Sequence, residues 1–478
     1  MLGPVPVERP VPLFRTLVIL LMLCAAAAGA QTREAPLPEP VAAALRAAKL
    51  PPAALGVVVL PLSASGLELR HNATQAFNPA STMKLVTTLA GLELLGPQYQ
   101  WRTDALASAP VRDGVLEGDL TVRGRGDPAF VIENLWLLTQ RLRGAGVREI
   151  RGDLVLDRSA FAPVAHDPAA FDGESLRPYN AGPDALLLNF KAVSLNFEPQ
   201  PDGSVRVWAL PALAGTAVPA SVRGAEGPCN DWRGRLGADF ADPARLRFAG
   251  AFPISCGPRV WHLSLLDPTR YFEAVFRALW EGSGGSLRGR VREGAAAADA
   301  RVLATQESRA LAEVIRDINK FSNNVMARQL FLTLALEGRG APARVEQARA
   351  VVGDWLVGRG VAAGEVVLDN GSGLSRSERI TPLAMGRLLS GAWQSPLMPE
   401  FVASLPLVGV DGTMRKRNGA AGSAHIKTGQ LADARAIAGY VLAASGRRYV
   451  VVGFINHANA QGGAAVLDAL LNWVYVGG

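Results

Sequence analysis

The chain has 478 residues, a formal net charge of +7 and a half-hydrophobic composition. That length exceeds one ordinary core and predicts two or three domains. Composition excludes a disordered chain, no repeat of 20 to 50 residues runs through it, and no basic run interleaved with aromatics points to nucleic acid.

In chain order, residues 1–30 read as a signal peptide. Arg9 and Arg15 give a basic start, Leu17 to Leu23 an apolar core, and Ala28-Gly29-Ala30 a small-residue cleavage site. The apolar run is too short to span a membrane, and Leu23 stands where a lipoprotein signal before Cys24 needs a small residue. No stable membrane span is expected after cleavage, and the net charge falls to +6 with Glu8, Arg9 and Arg15 removed. Mild basicity suits an acidic polymer nearby. Export leaves two cysteines, Cys229 and Cys256, and an even pair in an oxidising compartment predicts a disulfide.

Residues 54–78 read as two strands around a turn at Ser63 to Gly66, followed by an apolar helix from "NPASTMKLVTTLAGLELLG" (78–96). From about 100 to 260, short β-like runs alternate with Gly, Pro and Asp turns, which predicts β-rich inserted material. A Gly- and Ala-rich seam at 281–300 marks a boundary. Helical periodicity resumes through "ESRALAEVIRDINKFSNNVMARQLFLTLALEG" (307–338). "SAHIKTG", "RAIAGYVLAA" and "RRYVVVGFIN" then read as antiparallel strands, and "GAAVLDALLNWVYV" as a closing helix. Helices and antiparallel strands at both ends, with inserts between, predict a split α/β (α+β) domain.

Three short stretches carry chemistry. Ser81 and Lys84 lie three apart at a helix start, so they share a face. A serine hydroxyl is a poor nucleophile until a base takes its proton, and a lysine serves as that base only when its pKa is lowered. The helix N-terminus adds a positive dipole near Ser81. Alone the S-x-x-K spacing is weak, since roughly one arises by chance in such a chain. "FSNNV" adds an S-x-N, Ser322 to Asn324, in a helical stretch, and "HIKTGQ" adds Lys427-Thr428-Gly429 opening a strand. The order S-x-x-K, S-x-N, K-T-G is the motif set of penicillin-binding proteins and class A β-lactamases.

With "GRGDPAF" (124–130), "YNAGPDALLLN" (179–189), "DNGSGLSR" (369–376), "GVDGTMRKR" (409–417) and "AIAGYV" (436–441), the chain resembles the D-alanyl-D-alanine carboxypeptidase/endopeptidases, the class C low-molecular-mass penicillin-binding proteins. The resemblance spans nearly all of the chain after residue 30, including the about 240 residues between Ser81 and Ser322. It implies a penicillin-binding domain (31–100 and 302–478), an antiparallel sheet flanked by helices. This would carry one inserted β-rich domain at 101–180 and 262–301 and a second at 181–261. It further implies periplasmic action on peptidoglycan stem peptides, with β-lactam antibiotics as covalent inhibitors and no cofactor. By resemblance, Ser81 is the nucleophile, Lys84 its base, Ser322 a proton relay to the leaving amine, and Asn324 the amide that holds the substrate backbone. Lys427 supplies positive potential, Thr428 binds the terminal carboxylate, Gly429 leaves room along the strand edge, and backbone N–H groups of Ser81 and Gln430 form an oxyanion hole. Relatives often have threonine where Gln430 stands, a change that a backbone donor survives.

Arg376 resembles a residue facing the substrate side chain, though a surface ion pair explains it equally. Glu174, five residues before Tyr179, would hold a cationic substrate group, or be a solvated loop acid. Arg125-Gly126-Asp127 reads as a turn rather than an adhesion tripeptide. No two of the five histidines lie within four residues, so no zinc-type spacing exists and no metal is expected. A β-lactamase would need a water-activating Glu in an E-x-x-L-N stretch, which is absent. A catalytically idle murein-binding protein on the same scaffold is disfavoured by the intact motifs.

Overall fold

The computed structural model describes Gly3 and residues 36–478. The signal peptide expected at 1–30 lies outside the described residues, apart from Gly3. No described helix is long and apolar enough to cross a membrane.

Both ends of the chain build one five-stranded antiparallel sheet, in the order Leu69–His71, Leu55–Pro61, Arg448–Asn456, Ala434–Leu442, Ala424–Gln430. Its central strands are apolar through their middles, 55–60 and 449–455, as expected of a sheet covered on both faces. One face packs on the helices Lys84–Leu95, Asn324–Arg339 and Pro382–Gln394. The other packs on Glu39–Ala47 and the closing helix Gly463–Gly477. Ala424–Gln430 is an edge strand, so half its backbone groups point away from the sheet.

The chain between these ends forms a separate hydrophobic core with two more five-stranded sheets. Expected as β-rich, this material also carries two long helices, Ile132–Gly144 and Pro268–Gly282. The second opens on Asp267, whose carboxylate caps Thr269 and Arg270, with Pro268 at its first position. One of the sheets contains parallel pairs, Leu120–Arg123 with Leu154–Asp157, for which a crossover helix is the usual connection. Its outer strand Arg301–Glu307 pairs with Arg102–Ala107, so this sheet runs past the boundary expected at 301. Cys229 and Cys256 are joined by a disulfide (S–S 2.05 Å) across 27 positions.

The helical run expected over 307–338 is two helices, Leu311–Lys320 and Asn324–Arg339. Ser322 stands between them in the left-handed region (φ 56°). Asn323 N–H donates back to the Ile318 carbonyl, closing the first helix in a Schellman turn with serine where glycine is usual. The same Asn323 caps the second helix, its Oδ1 accepting from Met326 N–H at 3.0 Å.

Candidate active site

Ser81 lies in a 3₁₀ turn, Ala80–Met83, that runs directly into the helix beginning at Lys84. The turn is anchored from both sides: Asn78 N–H donates to Asn456 Oδ1 (2.6 Å), Asn456 Nδ2 returns a bond to the Asn78 carbonyl (3.0 Å), and Asn78 Oδ1 accepts from Ala80 N–H (2.9 Å). Ala80 is held at φ 46° just before the serine, a strained conformation of the kind that collects at functional sites.

Lys84 has no solvent exposure. Its Nζ donates to Ser81 Oγ (2.9 Å), to Asn324 Oδ1 (2.7 Å) and to the Ser372 carbonyl. Three acceptors use all three ammonium protons, and no carboxylate among the described residues touches it. Burial first, and then the charge of Lys427, push its pKa well below the ordinary lysine range; Glu378 opposes them.

Lys427, on the edge strand, is equally buried, and burial lowers its pKa to about 7. Its Nζ donates to Ser322 Oγ (2.9 Å) and to the Thr428 carbonyl (2.8 Å). The left-handed backbone at Ser322 places that hydroxyl beside Lys427, which accounts for a serine in a glycine position. Thr428 Oγ1 bonds Thr413 Oγ1 at 2.8 Å. Gly429 has no room for a side chain, since a Cβ would lie 2.6 Å from the Pro79 carbonyl and 3.0 Å from Ser81 N. The strand edge therefore abuts the nucleophile turn. Ile426 N–H points off the sheet to Pro406 O, and by alternation Thr428 and Gln430 N–H point the same way. Ser81, Ser322, Thr428, Gly429 and Gln430 line one cleft of about 240 Å³.

The remaining predicted residues sit outside this centre. Tyr179 lines an adjoining cleft of about 390 Å³ with Phe190, Phe321, Ser322 and Asn324, its hydroxyl donating to Asp172 (2.9 Å). Glu174 is exposed and paired with Arg177 (3.1 Å). Arg376 lies over the Phe171 ring (4.5 Å to the centroid) and pairs with Asp433 at 3.3 Å.

The D-Ala-D-Ala carboxypeptidase 3 (S13) family matches residues 37–474, nearly the whole described chain. This protein belongs to that family. A D-alanyl-D-alanine carboxypeptidase from Actinomadura sp. (strain R39) is 31% identical over 439 residues, 87% of this chain and 80% of the relative. The D-alanyl-D-alanine carboxypeptidase DacB of Haemophilus influenzae is 26% identical over 393 residues, 81% of this chain and 82% of the relative. Among solved structures, penicillin binding protein 4 (dacB) from H. influenzae superposes with TM-score 0.76 at 24% identity, covering 91% of this chain and 99% of that one. A predatory endopeptidase from Bdellovibrio bacteriovorus gives 0.51 at 16% identity, covering 88% and 92%. These two likenesses are of fold. Family membership makes the protein an enzyme, a serine-type peptidase.

Several residues that shape this site belong to no motif read from the sequence. Glu378 is fully buried, and its carboxylate accepts from Asp369, Asn370, Gly371 and Gly373 N–H at 2.8–3.3 Å. This folds the 369–375 loop that hands the Ser372 carbonyl to Lys84. Asn456 reaches the site from a distant stretch with nothing in its local pattern to mark it, whereas Thr413 lies in "GVDGTMRKR" (409–417), a stretch quoted for the resemblance without a role for this threonine.

Proposed function

We propose that the protein is a serine DD-peptidase that opens the bond after the penultimate D-Ala of peptidoglycan stem peptides, as a carboxypeptidase, an endopeptidase on D-Ala–diamino-acid cross-links, or both. An extended peptide would lie along the outer edge of the strand Ala424–Gln430 at 428–430, beyond the stretch already bonded to Pro406 and Val408, where outward N–H groups await a partner strand. Lys84 in its neutral form takes the Ser81 proton as Oγ attacks the D-Ala carbonyl carbon. The oxyanion that forms is met by backbone N–H of Ser81 and Gln430. Ser322, polarised by Lys427, passes a proton to the leaving amine, the C–N bond breaks, and an acyl-enzyme on Ser81 remains until water hydrolyses it. Asn324 fixes Lys84 and the substrate amide, and Thr428 receives the terminal carboxylate. Tyr179, from the adjoining cleft, would border the side chain preceding the scissile residue.

The observation that carries this reading is Lys84 Nζ at 2.9 Å from Ser81 Oγ, fully buried and free of any carboxylate contact. Burial is what frees a lysine to act as a base near neutral pH. β-Lactams would acylate the same hydroxyl, and the H. influenzae penicillin binding protein 4 has been solved with one bound. Export to the periplasm, read from residues 1–30, belongs to the same proposal. The test is intact-mass spectrometry with a penicillin: the wild type gains one adduct and Ser81→Ala gains none. An adduct on folded Ser81→Ala would remove Ser81 from the reaction.

A further inference from the structure

Ser322 Oγ and Lys427 Nζ lie 2.9 Å apart, yet they come from a break between two helices and from the edge strand of the sheet. A bond of that length survives only if the two elements keep one separation. The ties that set it lie outside the three motifs. Lys320, the last residue of Leu311–Lys320 and two before Ser322, donates from Nζ to Asp411 Oδ2 at 2.6 Å. Its side chain is only 7% exposed, and Asp411 is its one ion-pair partner among the described residues. Asp411 also braces the loop that carries it, Oδ1 accepting from Leu407 N–H (2.8 Å). That loop is bonded to the edge strand, Ile426 N–H donating to the Pro406 carbonyl (2.8 Å) and Val408 N–H to the Ala424 carbonyl (2.9 Å). Its next turn closes on the site, where Thr413 Oγ1 meets Thr428 Oγ1 at 2.8 Å.

Loop and helix end are in close contact. Gly412 (φ 54°) passes so near that a Cβ would lie 2.5 Å from the Lys320 carbonyl. A buried ion pair is a poor source of stability, because desolvation of both charges offsets their attraction, and apolar residues of similar size hold a fold as well. What a short charge-assisted bond adds is one fixed geometry. The helix break needs it. Ser322 stands in a backbone conformation that is costly for serine, and Lys427 is the one group among the described residues that bonds its hydroxyl. The Lys320–Asp411 pair therefore links the residue two before Ser322 to the loop fastened on the Lys427 strand.

We propose that Lys320 and Asp411 are positioning residues for departure of the leaving amine: their ion pair holds the Ser322 hydroxyl where it protonates the nitrogen as the C–N bond breaks. In that step the C–N electron pair goes to nitrogen and Ser322 Oγ–H supplies the proton. The proton that Lys84 took from Ser81 balances the count. An amide nitrogen does not leave as an anion, so a proton donor misplaced by about 1 Å stalls the step. A thiolate leaves without a proton, since a thiol titrates near about 8.5. The pair should therefore matter for amide substrates and little for thioesters. This rests on the DD-peptidase reading of Ser81.

The experiment compares an N-acetylated tripeptide ending in D-Ala-D-Ala with the thioester in which sulfur replaces the scissile nitrogen. The proteins are wild type, Lys320→Met, Asp411→Asn and the double variant. The quantity read is kcat/KM, which reports transition-state stabilisation relative to free enzyme and substrate. Lys320→Met should lose roughly ten- to hundredfold on the peptide, part of the 10²–10⁴ of a positioned acid, and less than about threefold on the thioester. Asp411→Asn should show the same selective loss. Since the two side chains form one device, the double variant should lose no more on the peptide than the worse single variant. Equal losses on peptide and thioester, no loss on the peptide, or losses that multiply in the double variant would each overturn the proposal. Both substitutions keep side-chain size, and a retained thioester rate shows that the site is folded. Ser81→Ala distinguishes the two readings. If it still cleaves both substrates, the Ser81 reading falls and takes the proposal with it; if it is inactive while Lys320→Met loses equally on both, the proposal alone falls.

Discussion

Glu378 and Lys84 are both sealed from solvent, yet they form no ion pair: the loop 369–375 connects them through its backbone. Its N–H groups turn to Glu378 while the Ser372 carbonyl turns to Lys84, a reversal helped by Gly371 (φ 70°) and Gly373 (φ 77°). Glu378 thus acts on Lys84 twice, by fixing an acceptor and by a negative charge that favours the ammonium form against burial.

That balance predicts a pH profile. Acylation by a penicillin should rise with pH along a limb whose midpoint lies well below the usual lysine value near 10.4. Lys427→Ala removes a like charge and should move the midpoint up; Glu378→Gln removes an opposing charge and should move it down, with some loss of stability. Lys84→Ala should cost about 10²–10⁴-fold on the alkaline plateau, the range of general-base catalysis, and less as pH falls, because it lacks the titrating limb. Stopped-flow acylation rates from pH 5 to 10 decide the matter, and a Lys84→Ala rate equal to wild type would end the base assignment.

Asp127, in the tripeptide 125–127, is no adhesion signal, because its carboxyl is buried with one hydrogen bond, from Ala129 N–H (2.8 Å). Burial raises its pKa to about 7, against a weaker backbone bond and the Arg309 charge. The folded state therefore keeps a proton that the unfolded chain has lost, and stability should fall as pH climbs from about 4 to about 7, by at most about 4 kcal/mol. Asp127→Asn keeps the acceptor and should flatten that slope. Urea midpoints across this range test it, and an unchanged slope in the variant would refute it.

Gly429→Ala should cut acylation by an order of magnitude or more while leaving most of the fold intact. The added methyl meets the Pro79 carbonyl at 2.6 Å and Ala80 Cβ at 2.9 Å, backbone and short side chain that cannot swing away. The strand must back off from the serine. A variant that acylates at the wild-type rate would show that the strand edge and Ser81 can separate without consequence.

The disulfide should matter to stability alone. Replacing Cys229 and Cys256 by serine releases a loop of 27 positions, worth roughly 3 kcal/mol in the chain-entropy picture. Penicillin acylation of the folded double variant should match wild type. A folded variant that no longer acylates would tie this bridge to the site.

Motif spacing reveals which residues meet but not how the backbone delivers them. Ser81, Lys84, Ser322, Asn324 and Lys427 were legible because each belongs to a short pattern whose chemistry needs those neighbours. The break at Ser322 was not: the apolar period continues through 307–338 unaltered, and a serine in a left-handed turn leaves no compositional trace. Glu378 was invisible for the opposite reason, since a lone glutamate after a Gly/Ser loop reads as a solvated charge until four N–H groups converge on it. The helices at 132–144 and 268–282 were hidden within Gly- and Pro-punctuated surroundings that read as strands. Arg376 and Glu174 show the limit of a single charged residue, whose observed partners, Asp433 and Arg177, are those of ordinary surface pairs.

The sheet that holds the nucleophile pairs Leu55–Pro61 with Arg448–Asn456, strands hundreds of positions apart. Loop-closure entropy defers such pairings, whereas the intervening sheets are assembled largely from nearer segments. Asn456, the residue that grips Asn78 from both sides, is made 378 positions after it. A chain still being made, with Asn78 out and Asn456 not yet joined, therefore lacks one wall of the serine's seat. Reactivity is withheld until both ends have come together, so an incomplete copy carries the S-x-x-K sequence without the means to use it.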